Sequence, residues 1–206
     1  MIITVDGPAA AGKGELSRRL AKHFDYARLD TGQIYRAVGW RVLDGGLDPI
    51  EAANTLNPAD LDRPELRTEA TGNAASKVAA IPEVRASLLA FQRDFASRPP
   101  GGKKGAVLDG RDCGTVICPD APVKFFITAR ADVRAARRTK ELQERGLAAI
   151  YAAVLRDIVE RDARDSQRSV APLEPAKDAL VLDTSDMDAD AVFTAALDHI
   201  SRINIL

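Results

Sequence analysis

The chain is poor in the residues that build most metal and redox sites. It has two cysteines, two histidines and one tryptophan in 206 residues, and aromatics make up only 5% of it. Cys113 and Cys118 do not amount to a disulfide framework, and no ligand partners surround them, so they are read as free packing thiols. His23 and His199 lie in no metal-binding cluster. Aromatic residues are not interleaved with a basic stripe as in nucleic-acid readers. Charge of one sign is also lacking: 29 Lys and Arg oppose 30 Asp and Glu, for a net charge of −1. No global field therefore draws the chain to nucleic acid or to an anionic membrane, and any anion site must be local. No apolar run approaches a membrane span, and residues 1–5 lack the basic and apolar regions of a leader, which points to the cytoplasm. What remains is one enzyme-sized unit with enough apolar content, 46%, for a sizeable core.

Against this plain background the first fifteen residues are distinctive. An apolar strand ending at Val5-Asp6 runs into Gly7-Pro8-Ala9-Ala10-Ala11-Gly12-Lys13-Gly14-Glu15 and then into a helical pattern. Backbone N–H groups at such a helix start point at a polyphosphate, the helix dipole favours anions there, and the lysine bridges the outer phosphates. All nine loop positions are read as holding nucleotide phosphates. The usual form places Ser or Thr directly after the lysine to help hold magnesium. Here Gly14 and Glu15 follow.

Leu16, Leu20 and Phe24 recur at helical spacing over 12–24, with Ser17, Arg18, Arg19 and Lys22 on the opposite side. A short strand at 26–29 gives way at Asp30-Thr31-Gly32 to a helix that ends at Asp44-Gly45-Gly46. From 47 to 72 the composition favours short helices and turns, without strands. A long helix over 74–95 is interrupted at Ile81-Pro82, with Val84, Leu88, Phe91 and Phe95 on one face. Apolar runs at 106–109, 123–127 and 179–183 read as buried strands, and a last helix carries Val192, Phe193, Ala196, Leu197 and Ile200. Strands alternating with helices imply an α/β fold, a three-layer arrangement around a parallel sheet. Ligands in such folds sit beyond the C-terminal strand ends, where the loop, Asp30-Thr31, Asp109 to Asp112 and Asp183-Thr184 converge.

Four further blocks accompany the loop: Asp30-Thr31-Gly32-Gln33-Ile34-Tyr35-Arg36, Asn73-Ala74-Ala75-Ser76, Asp109-Gly110-Arg111-Asp112, and Arg161 to Arg168 (RDARDSQR). In this order, and over nearly the whole chain, they resemble bacterial cytidylate kinases, members of the P-loop nucleoside monophosphate kinases. The resemblance implies a P-loop NTPase-type fold with a five-stranded parallel sheet, one unit over 1–206 with an acceptor-binding segment at about 31–98 and a lid at about 138–164. It implies transfer of the γ-phosphoryl group of ATP to CMP or dCMP, with Mg2+ and no covalent intermediate, by a monomer. By the same resemblance Arg36 and Arg111 hold the acceptor phosphate, Ser76, Arg85 and Asp112 read the cytosine edge, and Thr31, Tyr35 and Gly110 shape the pocket. Arg161, Asp165 and Arg168 contact the acceptor sugar and phosphate. Lys13, Arg111, Arg161 and Arg164 form the catalytic set, the last two with Arg137 or Arg138 in a lid, and Asp109 orients the metal through water. These types suit the task, because anionic reactants must be aligned and neutralised, and arginine forks bind phosphate oxygens bidentately.

Two departures stand out. Family members have Thr where this chain has Glu15; a carboxylate there either repels the donor phosphates, turns outward or ligates magnesium. The 47–72 stretch is too short and too rich in Asp, Pro and Glu for the small antiparallel sheet of many relatives. These leave two other readings open, a related kinase with a different acceptor and a nucleotide-binding regulatory protein with reduced catalysis.

Overall fold

The computed structural model describes residues 1–203. Its elements follow in the order β1 (Ile2–Asp6), α1 (Lys13–Phe24), β2 (Ala27–Asp30), α2 (Thr31–Gly45), α3 (Pro49–Asn54), α4 (Glu69–Val78), α5 (Pro82–Ser97), β3 (Ala106–Gly110), β4 (Val123–Thr128), α6 (Ala131–Glu144), α7 (Tyr151–Ser166), β5 (Leu180–Asp183) and α8 (Ala189–Arg202). Five parallel strands pair in the order β2-β3-β1-β4-β5. The chain thus moves outward from β1 in both directions, which makes the C-terminal end of β1 a switch point where a crevice opens.

Local chemistry sets the element boundaries. The Asp30 carboxylate accepts from Gln33 N and starts α2, and Thr68 does the same for α4 through Thr71 N. Pro82 occupies the first turn of α5, where its missing N–H costs nothing, and so separates α5 from α4. Between α3 and α4 lie only 3₁₀ turns at Pro58–Asp62 and Pro64–Arg67, in line with the strand-free reading of 47–72.

The sheet is covered on both faces. One core packs Leu29, Ile34, Val38, Val84, Leu88 and Leu108 between the sheet and α2, α4 and α5. The other packs Ile3, Val5, Leu16, Leu20, Phe125 and Ile200 beneath α1 and α8. Ala135, Leu142, Val154 and Ile158 join α6 to α7. Two sequence expectations need correction. The run at 179–183 forms an edge strand rather than a buried one, since β5 pairs with β4 alone and Val181 is 51% exposed. On α5 the buried stripe includes Arg85 and Gln92, which turns Phe91 out to 49% exposure. His23 and His199 pack edge-on against aromatic rings, and both cysteines are free and buried.

Candidate active site

The loop after β1 begins with Gly7 at φ 142, where a Cβ would lie 1.9 Å from Ile127 O, so only glycine allows the loop to lie against β4. It ends with Gly12 at φ 99, which starts α1 without a side-chain cap and leaves the first N–H groups of that helix for an anion. Lys13 is buried, and its Nζ donates to Pro8 O at 2.8 Å. Burial, reinforced by the charge of Arg111, lowers its pKa to about 7.

Beside Lys13 stands a small polar network. Asp109 Oδ2 accepts from Ser17 Oγ at 2.8 Å and from Arg28 Nη2 at 2.6 Å, and Arg28 Nε donates to Ser17 Oγ at 2.9 Å. Ser17 is therefore not on the solvent side of α1; it is fully buried against the sheet. Asp30 lies opposite Asp109 in the β2–β3 register, and burial and the Asp109 charge raise its pKa. Arg28 and Ser17 carried no motif signal, because their meaning depends on a strand some ninety positions away; the pairing of Asp109 with the loop was the one available clue. Among the described residues no group of three His, Cys, Asp or Glu forms a metal cage. An oxygen set of one hydroxyl and two carboxylates suits Mg2+, which takes few protein ligands and completes its shell with substrate phosphates and water.

Across the crevice a narrow cavity of about 50 Å3 gathers Thr31, Gly32, Tyr35, Ser76, Arg85 and the Gly110–Asp112 turn against Arg161, Asp165 and Arg168. These come from α2, α4, α5, the end of β3 and the turn after it, and α7 with the residues just beyond it, and almost all belong to the predicted acceptor set. Asp165, 1% exposed, is the hub. It accepts from Ser76 Oγ at 2.9 Å and Arg111 Nε at 3.0 Å, bonds Arg168, and lies 3.8 Å from Arg161 Nε. Burial alone would raise its pKa, but Arg111, Arg168 and Arg161 hold it down at about 2. Arg85 pairs with Asp112 beneath the Tyr35 ring, whose centroid is 5.5 Å from the guanidinium. Thr31 Oγ1 donates to Asp109 O at 2.9 Å, so it braces the pocket floor. A Cβ at Gly110 would meet Thr31 Oγ1 at 2.3 Å, which accounts for glycine there.

A residue without motif signal positions this turn. Asp6, at the end of β1, accepts from Cys113 N at 2.8 Å and Gly114 N at 2.7 Å, starting a single π-helical turn at Cys113–Ile117. Burial pushes its pKa up to about 6.

Between the two halves, a space of about 340 Å3 is bordered by Ala9, Ala10, Lys13, Arg36, Arg111 and Arg161. Arg36 is anchored by Leu66 O at 2.8 Å and Thr68 O at 3.2 Å. Burial, with Arg111 close by, lowers the pKa of Arg161 to about 9. Arg138 and the carboxylates Asp30, Glu69, Asp109, Glu141 and Asp157 also border this space, so cations and anions alternate around it. A third cavity, of about 240 Å3, lies on the other side of the loop and is lined by Ala11, Gly12, Leu16, Arg137, Thr184 and Val192. Thr184 ties its two walls, donating to Ala11 O at 3.0 Å and accepting from Arg137 Nη1 at 3.0 Å.

Three predicted residues behave differently from the rest. Arg137 goes to this third cavity, whereas Arg138 pairs with Glu69 and Glu141 at the central one. Arg164 borders none of the three cavities, and its Nη1 is buried without a partner among the described residues. Glu15 turns away from the loop to the rim of the third cavity, which it helps to line: it bonds Arg18 and Arg19, the latter at 2.9 Å, and Arg19 continues to Asp190 of α8 at 2.6 Å. Partial burial works against it, but these bonds keep the Glu15 carboxyl below its usual pKa. With the charge already compensated, Glu15→Thr is expected to change the KM for ATP by less than about threefold, in steady-state kinetics at saturating acceptor. A tenfold improvement would show that the carboxylate does oppose the donor phosphates.

Comparisons with known proteins agree with this geometry. The cytidylate kinase family model matches residues 3–60 and 53–202. A cytidylate kinase of Paramagnetospirillum magneticum is 61% identical over 202 residues, 95% of each chain. That of Rhodospirillum rubrum is 58% identical over 208 residues, 98% of each. Among solved structures, an uncharacterized protein from Eubacterium ventriosum aligns with TM-score 0.55 at 15% identity over 100% of this chain and 99% of its own. A sugar kinase from Janibacter sp. aligns with TM-score 0.52 at 14% identity over 97% and 94%. At such identities these two show a shared fold and nothing finer.

Proposed function

The chain belongs to the cytidylate kinase family and transfers the γ-phosphoryl group of ATP to CMP or dCMP, and from that premise we propose how its residues divide the work. The observation that carries the assignment is the facing of two half-sites across the crevice: the loop with Lys13 on one side, the Asp165-centred arginines and the Arg85–Asp112 pair on the other. The first-turn N–H groups of α1 and Lys13 hold the donor phosphates, and the Ala11–Val192 cavity takes the adenine. Arg36, Arg111 and Arg161 hold the acceptor phosphate, whose oxygen attacks the γ-phosphorus while the bond to the β–γ bridging oxygen breaks. That acceptor is already anionic, so no base is required. The protein contributes alignment and positive charge, which supply most of the rate in such transfers. Mg2+, when bound, screens the donor phosphates, and Ser17 with Asp109 and Asp30, the carboxylates through water, are the residues that would hold it.

Asp112 and Arg85 read the base. Their mutual pair is exchanged on acceptor entry for the cytosine amino and carbonyl groups; uracil would turn a carbonyl toward the Asp112 carboxylate. Asp112→Asn is therefore expected to narrow the kcat/KM preference for CMP over UMP by about tenfold to a hundredfold, from the worth of one charged hydrogen bond. Residues 31–98 act as the acceptor-binding segment and 138–164 as a lid, within one unit whose last three positions lie outside the described residues. A cytoplasmic monomer without nucleic-acid partners completes the reading, supported by the near-neutral charge and the free thiols. Among the described residues no helix is long and apolar enough to cross a membrane.

A coupled ADP-release assay over CMP, dCMP, UMP and AMP at varied Mg2+ tests the proposal. The expected order places the cytidine nucleotides first, with turnover dependent on Mg2+. Higher activity on a non-cytidine acceptor, or nucleotide binding without product, would overturn it.

A further inference from the structure

The transfer scheme gives no task to Arg134, near the start of α6. Its side chain is buried and borders none of the three cavities. Enclosing a guanidinium is costly unless its donors are met. Those of Arg134 are met from three separate parts of the chain. Nε donates to Ala129 O, just past β4, at 2.8 Å, which fixes the stem. Nη1 donates to Ala9 O of the phosphate loop at 3.2 Å and to Asp162 Oδ1 of α7 at 3.1 Å, and Nη2 donates to Asp162 Oδ2. One planar fork thus spans the donor loop and the helix that carries the acceptor-side groups.

The backbone at the loop end of this contact is unusual. Ala10 has φ 59, in the left-handed region that residues with a side chain rarely adopt, and such a conformation persists where its surroundings hold it. Arg134 grips the carbonyl before it, and Ala10 itself packs against the α6–α7 cluster of Ala135, Leu142, Val154 and Ile158. In a trans peptide the carbonyl and the following N–H point in opposite directions, so an Ala9 carbonyl turned toward Arg134 aims the Ala10 N–H away from α6. Both alanines border the central space. At the other end, Asp162 sits beside Arg161 and about one helical turn before Asp165. A shift of this turn would displace the groups that define the acceptor side.

We propose that Arg134 is a positioning residue that joins the two half-sites: it aims the Ala10 N–H at the donor phosphates and, through Asp162, keeps Arg161 and Asp165 in register with them. It touches neither substrate. The proposal rests on the division into donor and acceptor sides given above. A donor on the loop fixes the Ala9–Ala10 peptide, the fork follows the peptide and α7 follows the fork, so filling the donor site tightens the acceptor site. Linkage makes the effect reciprocal.

Calorimetric titration of the full chain with CMP, alone and with a saturating non-hydrolysable ATP analogue, tests this. The wild type is expected to bind CMP about fivefold or more tighter when the analogue is present. Asp162→Ala should abolish that difference while the analogue's own affinity is kept, because Ala9 O retains its donor. Arg134→Gln should abolish it and also weaken the analogue about tenfold or more. Arg134→Lys, which keeps the charge without the fork, is expected to recover the analogue's affinity in part but not the coupling. Asp162 has 26% of its side chain exposed, so its variant reports on the clamp even where a change at buried Arg134 unfolds the chain. A role in folding alone would lower stability and leave the coupling intact. Coupling of wild-type size in Asp162→Ala, or a wild type without coupling, would overturn the proposal. A wild type in which Lys13→Met leaves the analogue's affinity unchanged would refute the donor side itself, and the proposal with it.

Discussion

Asp165→Asn is expected to destabilise the protein by about 3–5 kcal/mol and to raise the KM for CMP by about a hundredfold or more, the largest combined effect of any single change in the site. The reason is that one buried carboxylate compensates three guanidiniums. Arg111 Nε bonds it at 3.0 Å, Arg168 bonds the other oxygen, and Arg161 stands at 3.8 Å. Asparagine keeps the shape and can still meet Ser76, but it removes the one carboxylate that Arg111, Arg161 and Arg168 all approach and leaves buried cations undercompensated. Arg111 and Arg161, no longer held, lose the orientation that presents them to the acceptor phosphate. The pH dependence is part of the prediction. The native pKa of about 2 lies below the ordinary carboxylate value, so this stabilisation is complete above about pH 4 and is lost only as pH falls toward 2. Denaturant unfolding of both proteins at pH 5 and pH 8 should therefore give the same difference. A loss below about 1 kcal/mol, or a difference that shrinks between these pH values, would show that the arginines are held by something else.

Lys13→Met should lower kcat by about a thousandfold while making the empty protein more stable, because the native fold buries an ammonium that it does not pair with a carboxylate. Burial sets its pKa near 7 before nucleotide arrives. Donor phosphates favour the ammonium, so binding above pH 7 takes up a proton. Affinity for ATP is then full below pH 7 and falls as pH rises through it, until the raised pKa of the complex is reached. Stability of the empty protein follows the opposite sign, rising from pH 7 toward the free lysine value as the unfolded chain keeps its proton. Calorimetry of nucleotide binding at pH 8, in two buffers of different ionisation enthalpy, should return about one proton taken up by the wild type and none by Lys13→Met. Equal values for the two proteins would refute the lysine as the source.

Much of this site was legible in the order of residues. The loop from Gly7 to Glu15 carries its own geometry, because glycine at positive φ and a helix started without a cap are local properties. The helical character of 47–72 followed from composition for the same reason. Ser17, Arg28 and Asp6 were not legible as parts of the site, since each acts on a partner brought in by sheet pairing. Ser17 reaches Asp109 and Asp6 reaches Cys113, at separations of 92 and 107 positions. Glu15 shows the other limit. Its place in the motif suggested a conflict with phosphate, and Arg18 together with Arg19, itself tied to the neighbouring α8 carboxylate Asp190, gives it somewhere else to go.

By itself the amino-acid sequence determined the alternation of strands and helices, the phosphate loop, and the arginines and carboxylates placed just beyond strand ends. These depend on periodicity, backbone freedom and capping, which act over a few residues. Tertiary structure alone decided that β1 lies between β3 and β4, and that three arginines converge on Asp165 while Arg164 stands apart. Those outcomes depend on which distant surfaces bury each other, and charge assembled in this way has no signature in a chain whose total charge is close to zero.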